Sequence, residues 1–257
     1  MKKIIKSLFH RFGMKLTRIH SANSKDPHFG ISELGMQTTL RGLAHRNFNP
    51  NTILDIGASN GRWTCECMSY FPNANYFLIE PMEEHNEALT VLSTENERVS
   101  FEIAAADTVS GKVVDLGIAP DQAGSSLHQP TLSTRKVPTV SLDSLFADGR
   151  FDQPDFIKLD IQGHEHAVLM GAGNVLKNCR LVLSECILHP YTKTMNLMGD
   201  IVAVLAQQEF MPYEIVDTLR RQHSGAMGQC DILFIKKGDP LIDDCHFRYP
   251  HTGTFFK

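Results

Sequence analysis

The stretch "TILDIGASNG", Thr52–Gly61, is a nearly continuous apolar run that breaks at a glycine turn. A short run without polar alternation suits a parallel strand covered on both faces. The glycines behind it suit a tight strand-to-helix turn. The same alternation continues along the chain. A helix is expected over Gly61–Tyr70, a strand at "NYFLIEP" (Asn75–Pro81), a helix from Glu83 to Leu92 and a strand at "VSFEIAAAD" (Val99–Asp107). The polar region Thr108–Lys136 holds a candidate strand, "KVVDLGI", and a loop. "FIKLDIQ" reads as a strand followed by a helix to Leu176, and "RLVLSECIL" (Arg180–Leu188) as a strand followed by a helix over Gly199–Gln208. "YEIVD" and "DILFIKK" would close the sheet as an antiparallel pair. Repeated strand–helix alternation predicts one doubly wound α/β domain with helices on both faces. Its expected span is 49–240, between an N-terminal helical extension (1–48, with a helix at Ile31–Arg46) and a C-terminal tail (241–257).

With 257 residues, 42% hydrophobic and 21% charged, the chain has the composition of a globular enzyme. A net charge of −4 excludes binding to nucleic acid through a general basic surface. Six scattered cysteines without a C-x-x-C pair read as reduced thiols, hence a cytoplasmic protein. No run of roughly 18 apolar residues suggests a membrane span. Residues 1–20 differ from this average. They carry six Lys and Arg and no acid; with −4 for the whole chain, the remainder is at −10. Ile4, Ile5, Leu8, Phe9, Phe12, Leu16 and Ile19 fall near helical spacing, an apolar stripe beside a basic face. That pattern fits a helix on an anionic membrane surface, such as the inner face of the cell membrane, or a helix packed on the main domain.

In doubly wound sheets, ligands bind outside the carboxyl ends of the strands. "DIGASNG" (Asp55–Gly61) lacks the full G-x-G-x-x-G dinucleotide fingerprint, because Ser59 stands at the second glycine. Asp55, two residues before Gly57, would repel a pyrophosphate and suits a cationic group instead. Glu80 ends the second strand, where an acid meets ribose hydroxyls. Asp107 ends the expected third strand and could accept from an adenine amino group. Three acids at consecutive strand ends describe a site for S-adenosylmethionine, with Ala58 and Gly61 completing the turn. Each acid alone also fits a helix cap or a solvated turn.

Acceptor chemistry is expected at the next strand ends. Lys158, Asp160 and Gln162 share one face of an ideal strand, which places two charges inside a buried element. They read either as a structural ion pair or as Asp160 beside the reacting group with Lys158 orienting it. His164 and His166 flank Glu165, but H-E-x-x-H would need a histidine where Val168 stands, so zinc is not expected. Glu165 also suits a helix N-terminus. Glu185 lies in the following strand, with His189 and Tyr191 behind it. Asp160, Glu185 or His189 could act as base, or Glu185 and Asp160 could hold a divalent ion.

These residues together resemble the FkbM family of S-adenosylmethionine-dependent methyltransferases. The resemblance rests on "LDIGASNGRW", "LIEP", "AAADTVSG", "GSSL", "VPTVSLDSL", "DFIKLDIQGHE" and "LVLSE", and covers Thr52 to about Glu214. It implies a Rossmann-like seven-stranded methyltransferase sheet, mostly parallel with an antiparallel last strand. It also implies methyl transfer from S-adenosylmethionine to a hydroxyl of a sugar, glycan or other small molecule. By the same resemblance Ser125 and Ser126, in "GSSL", lie near the donor. Relatives often carry Asn at the position of Ser59, so the turn is implied here and that side-chain contact is not. Two other readings remain at this level: a nicotinamide-dependent oxidoreductase or epimerase, which the missing fingerprint disfavours, and a non-catalytic scaffold. The acceptor, metal dependence and oligomeric state are not legible in the sequence.

Overall fold

The computed structural model describes residues 35–119, 125–128, 133–190, 192 and 195–242. The basic segment 1–20, the start of the helix expected from Ile31, Tyr191 and the tail from residue 243 lie outside them. Among the described residues no helix is long and apolar enough to cross a membrane.

Helix α1 (Met36–His45) precedes strand β1 (Thr52–Ile56). Then follow α2 (Arg62–Met68), β2 (Asn75–Glu80), a 3-10 turn (Glu83–His85), α3 (Asn86–Glu95) and β3 (Val99–Ile103). Strands β4 (Ala105–Ala106), β5 (Val113–Ile118) and β6 (Ser133–Val140) lead into α4 (Leu142–Ala147). The chain continues through β7 (Phe156–Leu159), α5 (Glu165–Met170), α6 (Gly173–Lys177), β8 (Leu181–Ile187) and α7 (Met198–Gln207). It closes with β9 (Phe210–Arg220), β10 (Met227–Lys236) and a 3-10 turn at Pro240–Ile242.

Seven strands form one sheet in the order β3-β2-β1-β7-β8-β10-β9. The pairings from β3 to β8 are parallel, and β10 runs antiparallel to both β8 and β9. The expected sheet is therefore present, including its antiparallel closing strands. β1 and β8 are buried along their whole length, which is why their sequences are mostly apolar without regular alternation. Alternate residues feed two cores. Leu54, Ile56, Ile157, Leu159 and Val182 pack with Val168, Val175 and Leu205 of α5, α6 and α7. Ile53, Tyr76, Leu78, Phe156 and Leu183 pack with Leu40, Leu43, Cys67 and Leu89 of α1, α2 and α3. Cys67, Cys179, Cys186 and Cys230 are buried free thiols and Cys65 is a partly buried one, whereas Cys245 lies outside the described residues.

Three sequence expectations shift. The third strand does not run through to Asp107: β3 stops at Ile103, and Ala105–Ala106 joins a separate three-stranded sheet, β4-β6-β5. β6 was not expected at all. The strand "FIKLDIQ" is shortened to Phe156–Leu159, so Asp160 and Gln162 sit in the turn beyond it, Gln162 with φ 57°. The shared face of Lys158, Asp160 and Gln162 therefore dissolves after Lys158.

Candidate active site

β1 delivers the chain to Gly57, which turns with φ 79°. Its N–H donates to the Ile79 carbonyl at 2.9 Å, and the Ala58 N–H donates to the same oxygen at 3.2 Å. The turn also presses against the end of β7. A Cβ added at Gly57 would collide with the Asp160 carbonyl oxygen and stand 2.8 Å from Ile161 Cγ2. Gly61, also left-handed at φ 78°, caps α2 and packs against Leu92 of α3, where a Cβ would come within 2.8 Å of Cδ2.

Beneath this turn lies a buried ion pair. Lys158 Nζ is 3.0 Å from Asp55 Oδ1, its register partner on β1, and 3.6 Å from Asp160 Oδ2. The ammonium also donates to the Gly57 carbonyl at 3.1 Å, and Thr64 Oγ1 donates to Asp55 Oδ2 at 2.7 Å. Burial alone would pull the lysine pKa down, but the Asp55 and Asp160 carboxylates outweigh it and hold Lys158 well above the ordinary range. Burial pushes the Asp55 carboxyl up, opposed by Lys158 and Thr64. The short Nζ–Oδ1 distance and the second hydrogen bond define an ionic pair. Asp55 is fully buried. The cation that Asp55 meets in this structure is Lys158 of its own chain.

Above the turn is a cavity of about 200 Å³. Gly57 and Ser59 after β1, Glu80–Met82 and His85 after β2, and Asp160–Gln162 with His164 after β7 line it. Ala105 and Ala106 of β4, Leu116 of β5 and the segment Ser125–Leu127 form the opposite wall. Glu80 is buried, with Oε2 accepting from Ser59 N at 2.7 Å and Oε1 from Met82 N at 2.9 Å. Burial raises its pKa; the two N–H groups oppose that rise. Ser126 Oγ donates to the Gln162 carbonyl at 2.8 Å and accepts from His128 N at 3.1 Å, tying the segment to the turn after β7. Glu165 closes that turn from below, Oε1 accepting from Ile161 N and Gly163 N.

Of the expected site residues, the structure brings Gly57, Glu80, Ser126 and Asp160 to the cavity. Ala58 and Gly61 shape the turn without lining it. Asp107 stands behind the wall, its Oδ1 accepting from Thr108 N at 2.7 Å and facing His164 Nε2 at 3.0 Å. His189 is exposed past the end of β8 and does not line the cavity. Glu185 is likewise outside the lining. It is buried, in register with Asp231, with Oε1 accepting from Gln229 Nε2 at 2.5 Å. Its Oε2 has no hydrogen-bond partner among the described residues. Among those residues no group of three or more His, Cys, Asp or Glu is placed to hold a metal ion. Met82, His85 and Ile161 also line the cavity, and His164 is joined to both His128 and Asp107, roles not evident from the sequence. A two-residue stop after "LIE" could have flagged Met82; nothing local flags the histidine contacts.

Burial, with Asp160, Glu165 and Asp231 nearby, pushes the Glu185 carboxyl up to about 9. An unfolded chain would hold it near 4.3, roughly the free glutamate value. The folded state therefore binds this proton more tightly. That contribution is complete below the unfolded pKa and is lost as pH rises toward about 9. Wild type is expected to lose thermal stability across that window relative to Glu185→Gln, which keeps a neutral side chain. Melting curves of the two proteins that shift in parallel with pH would contradict this.

A seven-stranded sheet in this order, with its cavity over the glycine turn of the central strand, is the architecture of Rossmann-like methyltransferases. The profile of the methyltransferase FkbM domain matches residues 55–220, and the chain belongs to that family. A hexuronic acid methyltransferase, AglP of Haloferax volcanii, is 26% identical over 151 residues. The match covers 59% of this chain and 62% of that relative, so less than two thirds of the relative's length is spanned. Among solved structures, methyltransferase FkbM from Methylobacillus flagellatus KT is 18% identical with a TM-score of 0.46, over 72% of this chain and 43% of the other. Magnesium protoporphyrin IX methyltransferase from Synechocystis PCC 6803, with bound S-adenosylmethionine, is 11% identical with a TM-score of 0.42, over 91% of this chain and 96% of the other.

Proposed function

We propose that this protein is an S-adenosylmethionine-dependent methyltransferase acting on a hydroxyl of a sugar, with a hexuronic acid as the first acceptor class to test. The observation that carries the reading is one lining that joins the Gly57 turn to the buried carboxylate of Glu80. The residues present fit the donor. Gly57 leaves no room for a side chain where the backbone must pass closest, and Ala58 and Gly61 hold the turn in shape. Glu80 retains lone pairs for ribose hydroxyls beside its two backbone donors. Ile56, Ile79, Met82, Ala105, Ala106 and Leu116 give the cavity apolar walls against which a base ring can lie. Bound there, the donor would supply a methyl group on a sulfonium.

On the acceptor side, Asp160 is the one residue of the expected catalytic set that opens onto the cavity. Its carboxylate is half exposed, with Lys158 Nζ at 3.6 Å and Gln162 Nε2 at 3.3 Å. We assign it to orienting the acceptor hydroxyl through a hydrogen bond, and Lys158 to fixing the turn that carries it. The hexuronic acid class rests on the likeness to the Haloferax volcanii hexuronic acid methyltransferase. The site is expected to work without a resident metal and inside the cell.

A labelled-donor assay with methyl β-D-glucuronoside and methyl β-D-glucoside, each with and without chelator, tests this reading. Label is expected on the glucuronoside, insensitive to chelator. Transfer to neither sugar by protein that binds the donor product would reject the acceptor class. Loss of transfer on chelation would reject the metal-free site.

A further inference from the structure

An ionised Glu80 only accepts hydrogen bonds, so alone it meets half of what a ribose diol offers. Each ribose hydroxyl donates one hydrogen and also accepts. A carboxylate takes the hydrogens and leaves the diol oxygens without a donor. A group able to supply one stands directly beside it. Ser59, whose N–H donates to Glu80 Oε2 at 2.7 Å, places its Oγ 3.3 Å from His85 Nε2. All three residues line the cavity. They come from the turn after β1, the end of β2 and the 3-10 turn behind it.

The hydrogen count of this pair does not depend on the histidine tautomer. A serine hydroxyl and a neutral imidazole carry two polar hydrogens between them, and their mutual contact uses one. If Nε2–H donates to Ser59 Oγ, the serine O–H is left over. If the serine donates, Nδ1–H of His85 is left over. We propose that Ser59 and His85 together form the hydrogen-donating half of a ribose subsite, with Glu80 its accepting half, and that the pair selects a ribonucleoside over a deoxyribonucleoside donor. This rests on the S-adenosylmethionine reading above.

The surroundings keep the pair in place and in the required charge state. Burial holds the His85 pKa below the ordinary histidine value against the opposing pull of Glu84, so the ring is neutral at pH 7. The neighbouring Glu84 accepts from Arg135 through both oxygens, Oε2 from Nη1 at 2.8 Å and Oε1 from Nη2 at 2.6 Å. Those hydrogen bonds hold the Glu84 carboxyl down to about 2, so the clasp stays charged. Arg135 lies on β6 in register with Leu116, which belongs to the opposite wall of the cavity. The 3-10 turn is thus fastened on two sides, to Ser59 through His85 and to β6 through Glu84. Ser59 itself has φ 50°, a left-handed backbone that glycine adopts without steric penalty. A serine there keeps a hydroxyl at the cavity where the backbone alone would favour glycine.

Calorimetry with S-adenosylhomocysteine and its 2′-deoxy and 3′-deoxy analogues tests the assignment. Wild type should bind S-adenosylhomocysteine and prefer it to both analogues. The double variant Ser59→Gly/His85→Phe removes both hydrogens. It should bind S-adenosylhomocysteine about 5–10-fold more weakly than wild type, the size of one hydrogen bond. The affinity lost on deleting one of the two ribose hydroxyls should shrink by about the same factor, because that hydroxyl has no donor left to lose. Each single variant retains one hydrogen without its anchor, so it should fall between wild type and the double variant on both measures. The single variants carry the test alone if the double variant does not fold. Analogue penalties equal to those of wild type, in the double variant or in both single variants, would overturn the proposal and leave the donor site standing. Wild type that binds all three ligands equally would do the same. Folded wild type that binds no S-adenosylhomocysteine would overturn the subsite and the donor reading together.

Discussion

Gly57→Ala is expected to cost the protein about 2–5 kcal/mol and to remove donor binding. The estimate combines about 1–2 kcal/mol for a left-handed alanine with about 1–3 kcal/mol for forcing atoms into a packed site. Both terms apply here, because φ is 79° and the added Cβ would meet the Asp160 carbonyl and Ile161 Cγ2. Relief would require the ends of β1 and β7 to part. That opening displaces Asp160 and Ile161, both on the cavity lining, together with the turn. Thermal unfolding and calorimetry with S-adenosylhomocysteine measure the two effects separately. An alanine variant with unchanged Tm and affinity within about threefold would mean the turn is not the tight element described.

The second large effect is expected at Lys158. Lys158→Met leaves Asp55 fully buried without its cation, a loss of about 3–5 kcal/mol. In a domain of this size that lowers Tm by roughly 10 °C. Part of the loss arises because the ammonium also holds the Gly57 carbonyl. Removing both charges together, as Asp55→Leu with Lys158→Met, should recover most of the stability. Two apolar side chains do not carry the desolvation cost of a lone carboxylate. Thermal denaturation of the single and double variants checks this. A double variant no more stable than Lys158→Met, or a single variant costing under about 1 kcal/mol, would contradict a tightly coupled buried pair.

The Asp55–Lys158 pair shows where the sequence stops informing. Apolar periodicity made β1, β2, β7 and β8 legible, because each must bury both faces and so cannot alternate. The antiparallel β9 and β10 could be read for a related reason: their runs end the chain's strand–helix alternation. β6 escaped because "STRKVPTV" buries only Val137 and Thr139 and pairs in a small sheet outside the main core. Within the site, Gly57 and Glu80 were legible since a strand-end glycine turn and the acid about 20 residues beyond it are local patterns with fixed meaning. The pairing of Asp55 with Lys158 was not legible, because its partner is 103 residues away and is set by strand register. Asp107 was placed at a strand end that the chain does not form. The Asp107–His164–His128 line spans separations of 57 and 36 residues and has no periodic or motif signature. His164 attracted notice only as a metal candidate, and its neighbours could not be read until β4, the segment at Ser125–His128 and the turn after β7 were in place.

The central claim is that the cavity over Gly57 and Glu80 is a donor site. Isothermal titration of the folded protein with S-adenosylhomocysteine tests it most directly, since it needs no acceptor. Saturable one-to-one binding that Gly57→Asp eliminates is the expected result. Folded wild-type protein that releases no binding heat and shows no thermal shift with S-adenosylhomocysteine would contradict it.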